Sequence, residues 1–250
     1  MTTELINEKL NELNSLSGEE SGNLYIPVKY AIQEAKILYK VCIKHKDMLI
    51  KSKLDWNLVE DLNIRLGALK QSHSKWLAKY NNYEESQKSW KEEAPLGYKF
   101  RDELIHDFRH ALRNSPTEYA KVKKISEGNS NADMIQDLND LAELGQIHIA
   151  ELESIGFDIT RLEEARSMSN SLLNLNADVK TLFLETRPLI ELRNKAYMHL
   201  KEAVDEIRCV GQYVFWKDEK KLKGYSSAYL RKKNKSYRRK DSETPEKETE

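Results

Sequence analysis

Apolar residues recur every three or four positions along most of this chain of 250 residues. One such stretch carries its apolar side chains on a single helical face, together with one histidine: Val28, Ile32, Ala35, Leu38, Cys42, His45 and Leu49. This spacing is typical of amphipathic helices and differs from the strict alternation of half-buried strands. Gly and Pro are scarce, with nine and five residues, so few positions favour a turn. The sequence therefore predicts an all-α protein, an antiparallel bundle of long helical hairpins with two short connecting helices.

Composition divides the chain into three predicted regions. Residues 1–24 should form a short helix, Glu4 to Leu13, and a linker. Residues 25–216 should form the bundle, and residues 217–250 a flexible tail that is first basic and then acidic. Within the bundle we expect a first hairpin at 27–93, connecting helices at 98–127, and a second hairpin with an extension at 132–216.

Capping and breaking residues refine these limits. Asp55 and Asp158 are suitable N-caps for the second helix of each hairpin. The helix before Asp158 should span 132–155 without interruption and end at Gly156. The segment from Ala94 to Gly97, which contains Pro95, is expected to end the first hairpin, and Pro188 is expected to kink or break the last long helix.

A shift of 103 residues aligns the two predicted hairpins. Seven of 29 positions are then identical, where chance would give about two. The pairs are Ile32 with Ile135, Gln33 with Gln136, Leu38 with Leu141, His45 with His148, Leu49 with Leu152, Asp55 with Asp158, and Glu60 with Glu163. The alignment predicts an internal duplication in which each hairpin turns just before its capping Asp, although shared helical periodicity alone would also raise the number of matches.

Targeting and redox features point to a reducing, cytoplasmic location. The N-terminus lacks the basic and apolar pattern of a secretory signal. The longest unbroken apolar run, Tyr213 to Trp216, is far shorter than the roughly 20 residues of a membrane span. Cys42 and Cys209 are isolated from each other on apolar stripes, so we expect both to be small buried residues without a disulfide or a metal.

Candidate metal ligands are few. His106 and His110 are spaced as in helical zinc sites, but they lie opposite the apolar face of their helix and should face solvent. His45 and His148 lie on or beside apolar stripes, so each needs a hydrogen-bond partner; a paired metal or proton-linked site is the alternative. We find no motif for a nucleophile, a phosphate loop or a cofactor, and assign no catalytic residue, cofactor or metal ligand.

Charge is strongly segregated within the neutral total. Residues 1–216 carry 29 Lys and Arg against 34 Asp and Glu, whereas residues 217–240 carry 11 against two. Lysine and arginine can pair with phosphates or carboxylates, and the interleaved tyrosines can stack on unpaired bases. The candidate contact residues are Tyr225, Tyr229, Arg231, Lys232, Lys233, Lys235, Tyr237, Arg238, Arg239 and Lys240.

These features favour a non-enzymatic scaffold or assembly protein that associates with itself or with a protein partner and docks through its basic tail. A nucleic-acid-associated protein that binds through residues 217–240 is the first alternative. A metal-binding bundle centred on His45 and His148 is the second, and a tail that only solubilises the chain also stays open.

Overall fold

The computed structural model describes residues 2–15 and 24–243. Within these ranges the chain is helical and contains no strand, which confirms the all-α prediction. Most of the predicted linker and the last seven residues of the acidic tip lie outside the described residues. The helices are α1 Thr2–Ser15, α2 Val28–Lys44, α3 Lys46–Lys51, α4 Trp56–Ala111, α5 Pro116–Ile125, α6 Asn131–Ile147, α7 Ile149–Ser154, α8 Thr160–Val214, α9 Glu219–Leu222 and α10 Ala228–Glu243; a 3₁₀ turn, Lys223–Tyr225, follows α9.

The chain forms two compact units. Unit 1 comprises Met1–Ala78 and Arg187–Glu250, and unit 2 comprises Lys79–Thr186. Each unit therefore contains the first half of one long helix and the second half of the other. The core of unit 1 includes Leu38, Leu49, Leu62, Ile207 and Tyr225. The core of unit 2 includes Phe108, Leu138, Leu141, Leu152 and Leu162.

The helix bounds repeat at the predicted offset of 103 residues. Helices α2 and α3 match α6 and α7 in both their first and last residues, and α4 matches α8 to within one residue. The short helices α5 and α9 also begin 103 residues apart. The repeat thus extends beyond the aligned hairpins to the short helix that follows each long one.

The hairpin turns repeat in atomic detail. Leu54 N donates to Leu49 O and Phe157 N donates to Leu152 O, both at 3.1 Å. Asp55 and Asp158 each accept a backbone N–H two residues ahead at 3.0 Å, which confirms the predicted turns before these caps. His45 and His148 interrupt both first helices, so the expected unbroken helix over 132–155 is wrong.

A further boundary prediction is wrong because Pro95 does not end its helix. Pro95 lies inside α4, so the first hairpin does not end at 93 and α5 alone is a separate connecting helix. Proline removes only one backbone donor, and the adjoining turns are held by packing: Ala94 is buried, and a Cβ on Gly97 would lie 2.5 Å from Leu172. Helix α8 continues through Pro188, so of the two predicted effects the break does not occur and the kink stays a prediction.

The cysteines differ in exposure. Cys42 is fully buried, and burial raises the pKa of its thiol to about 12. Cys209 is exposed, so the prediction that both are buried is wrong for this residue. None of the helices in the described ranges has a stretch long and apolar enough to cross a membrane.

Candidate docking surface

The basic segment begins inside the core of unit 1 and not as a free tail. The side chain of Tyr225 is fully buried, with its ring stacked on Phe215 at 5.4 Å between centroids. A Cβ on Gly211 would lie 2.0 Å from the Tyr225 ring, so only glycine fits at that position of α8. Residues 217–225 therefore belong to the folded unit, and the prediction of Tyr225 as a partner contact is wrong.

Polar contacts complete the burial of Tyr225. Its hydroxyl is hydrogen-bonded to Nδ1 of His45 at 2.8 Å. Gln212 Nε2 donates to the Tyr225 carbonyl at 2.8 Å. Burial raises the pKa of the Tyr225 hydroxyl, and burial together with Lys221 lowers the pKa of His45, so both groups are neutral near pH 7. His45 thus has a structural partner in unit 1.

Helix α10 is attached to α2 through the carboxylate of Glu34. Arg208 Nη2 donates to Oε2 of Glu34 at 2.8 Å, while Ser227 Oγ and the backbone N–H of Tyr229 donate to Oε1 at 3.1 and 2.8 Å. Ser227 also caps the helix, because its Oγ accepts the N–H of Leu230 at 3.1 Å. We call these four residues (Glu34, Arg208, Ser227 and Tyr229) the Glu34 anchor.

The anchor places a negative charge at the positive end of the α10 dipole. Burial alone would raise the pKa of Glu34. The N–H of Tyr229, Arg208 and Ser227 favour the ionised carboxylate more strongly, so the net effect lowers the pKa. Glu34 is therefore a carboxylate at neutral pH, and it fixes the first turn of α10.

Beyond this first turn, α10 is not packed against the unit. Every side chain described from Arg231 to Tyr237 is exposed. Arg231 donates to the carbonyls of Lys223 and Ser226, so part of its guanidinium is already used. Lys232, Lys233 and Lys235 have no carboxylate within ion-pair distance among the described residues, a finding that leaves them available to a partner.

The remaining predicted contact residues differ in availability. The ring of Tyr229 lies 4.8 Å from that of Tyr30, so it is partly occupied by packing. Tyr237 is 57% exposed, and Lys233 Nζ lies 5.9 Å from its ring centroid. Arg238, Arg239 and Lys240 continue α10, but their side chains lie outside the described part of the chain. We define the docking surface as Lys232, Lys233, Lys235 and Tyr237.

Sequence reasoning missed two exposed aromatic residues, one in the last turn of α8 and one just after it. Tyr213 is 74% exposed and Trp216 is 68% exposed, with Lys217 Nζ 4.7 Å from the Trp216 ring. The signal was present in the periodicity, because Ile207, Gly211 and Phe215 are buried at intervals of four residues. Tyr213 and Trp216 fall off that stripe.

A cavity of about 230 Å³ lies beside the Glu34 anchor in unit 1. Its walls are mainly apolar and include Ile26, Ala35, Leu200, Val204 and Leu230. Its charged residues pair with one another, Glu34 with Arg208 and Lys201 with Asp205. The cavity walls therefore pack the first turn of α10 and leave no unpaired carboxylate for acid–base chemistry.

The histidines do not assemble a metal centre in the described residues, where no group of three or more potential ligands is suitably placed. His148 in unit 2 contacts the carboxylates of Glu118 at 2.9 Å and Glu151 at 3.3 Å. Both residues of the repeated pair thus have a hydrogen-bond partner. His106 and His110 are exposed, as their position on the helix predicted.

The arrangement supplies cations and hydrogen-bond donors on one exposed helix. Such groups can bind carboxylates or phosphates. They do not form a pair of nucleophile and general base. Comparison of the chain with protein-family models, with curated proteins and with solved structures found no match.

Proposed function

We propose that this protein is a non-enzymatic helical assembly protein that docks an anionic protein partner through the docking surface on α10. The observation that carries the proposal is the Glu34 anchor, which fixes the start of a helix that exposes three lysines with no carboxylate within ion-pair distance in the described part of the chain. A short isolated helix is marginally stable in water. Like charges spaced as Arg231 and Lys235 destabilise it further. An anionic partner would relieve this repulsion.

The burial and packing of the tyrosines favour a protein partner over a nucleic-acid partner. Stacking on bases requires free aromatic faces. Tyr225 is buried and Tyr229 packs on Tyr30, so Tyr237 is the single exposed tyrosine of the three. Nucleic-acid binding remains a second candidate because Tyr213 and Trp216 are exposed beside Lys217.

Site-specific photo-crosslinking tests the proposal. A photoreactive amino acid replaces Ser236, an exposed residue of α10, and the full chain is irradiated in extract of its native cells. We expect covalent adducts with protein that persist after nuclease treatment. Neutralisation of the surface by K232Q/K233Q/K235Q should abolish them, because the variant removes the charges but not the helix.

A matched control distinguishes the effect of charge on α10 from the effect of the total charge of the chain. The K75Q/K88Q/K91Q variant also removes three exposed lysines, but none lies on α10. It should retain the adducts. Adducts that disappear with nuclease would favour the nucleic-acid candidate, and the absence of any adduct at Ser236 would contradict both.

A further inference from the structure

The two units carry opposite charge. Unit 2 contains 13 Lys and Arg against 20 Asp and Glu, a formal charge of −7. Because the whole chain is neutral, unit 1 carries +7. The docking surface belongs to unit 1. One chain therefore contains both a cationic helix and an anionic body of the kind that such a helix would bind.

Unit 2 has a groove of about 520 Å³ between α5 and α6. Two lysines line it, together with four carboxylates: Glu127, Asp137, Asp140 and Glu143. Lys121 is already paired with Glu118 at 2.9 Å. Glu143 is paired with Arg166 at 2.8 Å, and Asp137 is paired with Arg101 at 3.3 Å. Glu127 and Asp140 have no ion-pair partner among the described residues. The groove is thus anionic and only partly neutralised from within unit 2.

The groove also offers an apolar contact. Ile147 at its rim is 75% exposed, the highest value for any large apolar side chain in the described residues. Exposed ion pairs contribute little affinity by themselves, so a specific interface needs a buried apolar or aromatic residue. Tyr237, exposed beside Lys233 on α10, is suited to pack against Ile147.

We infer that the groove between α5 and α6 of one molecule binds helix α10 of a second copy of this chain. This inference rests on the proposed function and names its partner. Lys232, Lys233 and Lys235 contact the groove carboxylates, and Tyr237 covers Ile147. The two surfaces differ, so the contact is head-to-tail, and a bound pair of copies still presents one free groove and one free helix. Such contacts extend into a ring or an open chain.

Complementation of two defective chains tests the inference. The helix variant is K232Q/K233Q/K235Q, and the groove variant is E127Q/D140N/E143Q, which leaves the buried Asp137 unchanged. Sedimentation velocity measures molar mass at low and at high ionic strength. The intact chain should assemble with concentration at low ionic strength and dissociate at high ionic strength. Each variant alone should stay monomeric, and an equimolar mixture should reach twice the monomer mass and no more.

Further variants test whether the loss of assembly comes from the groove and the helix alone. The E84Q/E85Q/E92Q variant removes three exposed carboxylates of unit 2 outside the groove and should assemble like the intact chain. Ile147→Ser tests the contact between the groove and Tyr237 without a change in charge. It should weaken assembly by about tenfold, the equivalent of roughly 1.4 kcal/mol. Circular dichroism verifies that each variant is folded.

Three results would overturn the inference. The intact chain could stay monomeric at every concentration, the mixture could stay monomeric while the intact chain assembles, or the monomer could bind a single-stranded oligonucleotide through α10 without assembling. Adducts from Ser236 to a different protein, with no self-association, would refute this inference and leave the proposed function intact. No protein adduct at all would refute both.

Discussion

Glu34 and Asp137 occupy equivalent positions in the two units, 103 residues apart, yet their environments have opposite effects. Both carboxylates contact an arginine of a long helix: Glu34 binds Arg208 at 2.8 Å, and Asp137 binds Arg101 at 3.3 Å. Only Glu34 also accepts hydrogen bonds from the start of α10, through Ser227 and Tyr229. The duplicated hairpin therefore supplies an acidic position, and the chain segment that follows determines its role.

The pKa values express this difference. The added donors lower the pKa of Glu34, although burial opposes them. For Asp137 burial is the larger effect and exceeds the influence of Arg101, so its pKa rises to about 6. A buried carboxylate stabilises a fold only when its hydrogen bonds offset the loss of hydration. Position 34 meets that condition, whereas position 137 meets it only in part.

The largest expected effect concerns a buried position whose side chain differs in size between the units. Tyr225 is equivalent to Val122, and both side chains are fully buried. Tyr225→Ala should lower the free energy of unfolding by about 3–5 kcal/mol, because it leaves a cavity the size of an aromatic ring. Val122→Ala removes only two methyl groups and should cost about 1–2 kcal/mol. Urea denaturation measures both.

Tyr225→Phe is the control for this prediction. It keeps the ring against Phe215 and Gly211 but removes the hydrogen bond to His45, so it should cost about 1 kcal/mol. Hydrogen exchange at the backbone amides of α10 should increase in Tyr225→Ala and not in Val122→Ala. Equal losses of stability in the two alanine variants would show that Tyr225 does not distinguish unit 1.

Asp137→Asn should stabilise the protein at pH 7 by about 1–3 kcal/mol, since a pKa of about 6 against an ordinary 3.8 means that ionisation in the folded state is costly. The folded state binds the proton more tightly than the unfolded state. Stability of the intact chain should therefore fall as pH rises through the window between about 4 and 6. The Asn variant should lack this decrease, as measured by urea denaturation across that range.

Glu34→Gln is the matched control in the same pH series. The lowered pKa of Glu34 gives stability that is present above its unfolded-state pKa of about 4.5 and is lost as pH falls through the folded-state value. The Gln variant should therefore be less stable than the intact chain at pH 7 and should approach it in acid. If both variants changed stability in the same direction at pH 7, the contrast between the two positions would be refuted.

Local patterns in the sequence predicted the regular parts of the molecule. Helical periodicity indicated the all-α fold, and Asp55 and Asp158 marked the turns because N-capping is a contact within one turn of chain. The exposure of Lys232 and Lys235 followed from composition. The predicted helix end at Pro95 was wrong because the local effect of proline was outweighed by packing of Gly97 against Leu172, a contact between residues far apart in sequence.

The burial of Tyr225 was equally hidden from local patterns. It depends on the absence of a side chain at Gly211 and on a partner, His45, that lies 180 residues away. A basic segment with interleaved tyrosines looks the same whether or not one of them enters a core. The Glu34 anchor could not be predicted from local patterns either, because it joins α2 to α10 across 195 residues.

The smallest expected effect tests the equivalence of the two hairpin turns. Lys53 has a φ of 64° and Gly156 a φ of 77°, so both adopt the left-handed conformation that disfavours residues with a Cβ. A Cβ at Gly156 would meet no atom within 4 Å, so the cost there is conformational alone. Lys53→Gly should raise the free energy of unfolding by about 0.5–1 kcal/mol, and Gly156→Lys should lower it by about 1 kcal/mol. Urea denaturation of the two single variants and of the double swap measures these changes in the free energy of unfolding. If both single changes had the same sign, the two turns would not be energetically equivalent despite their matching hydrogen bonds.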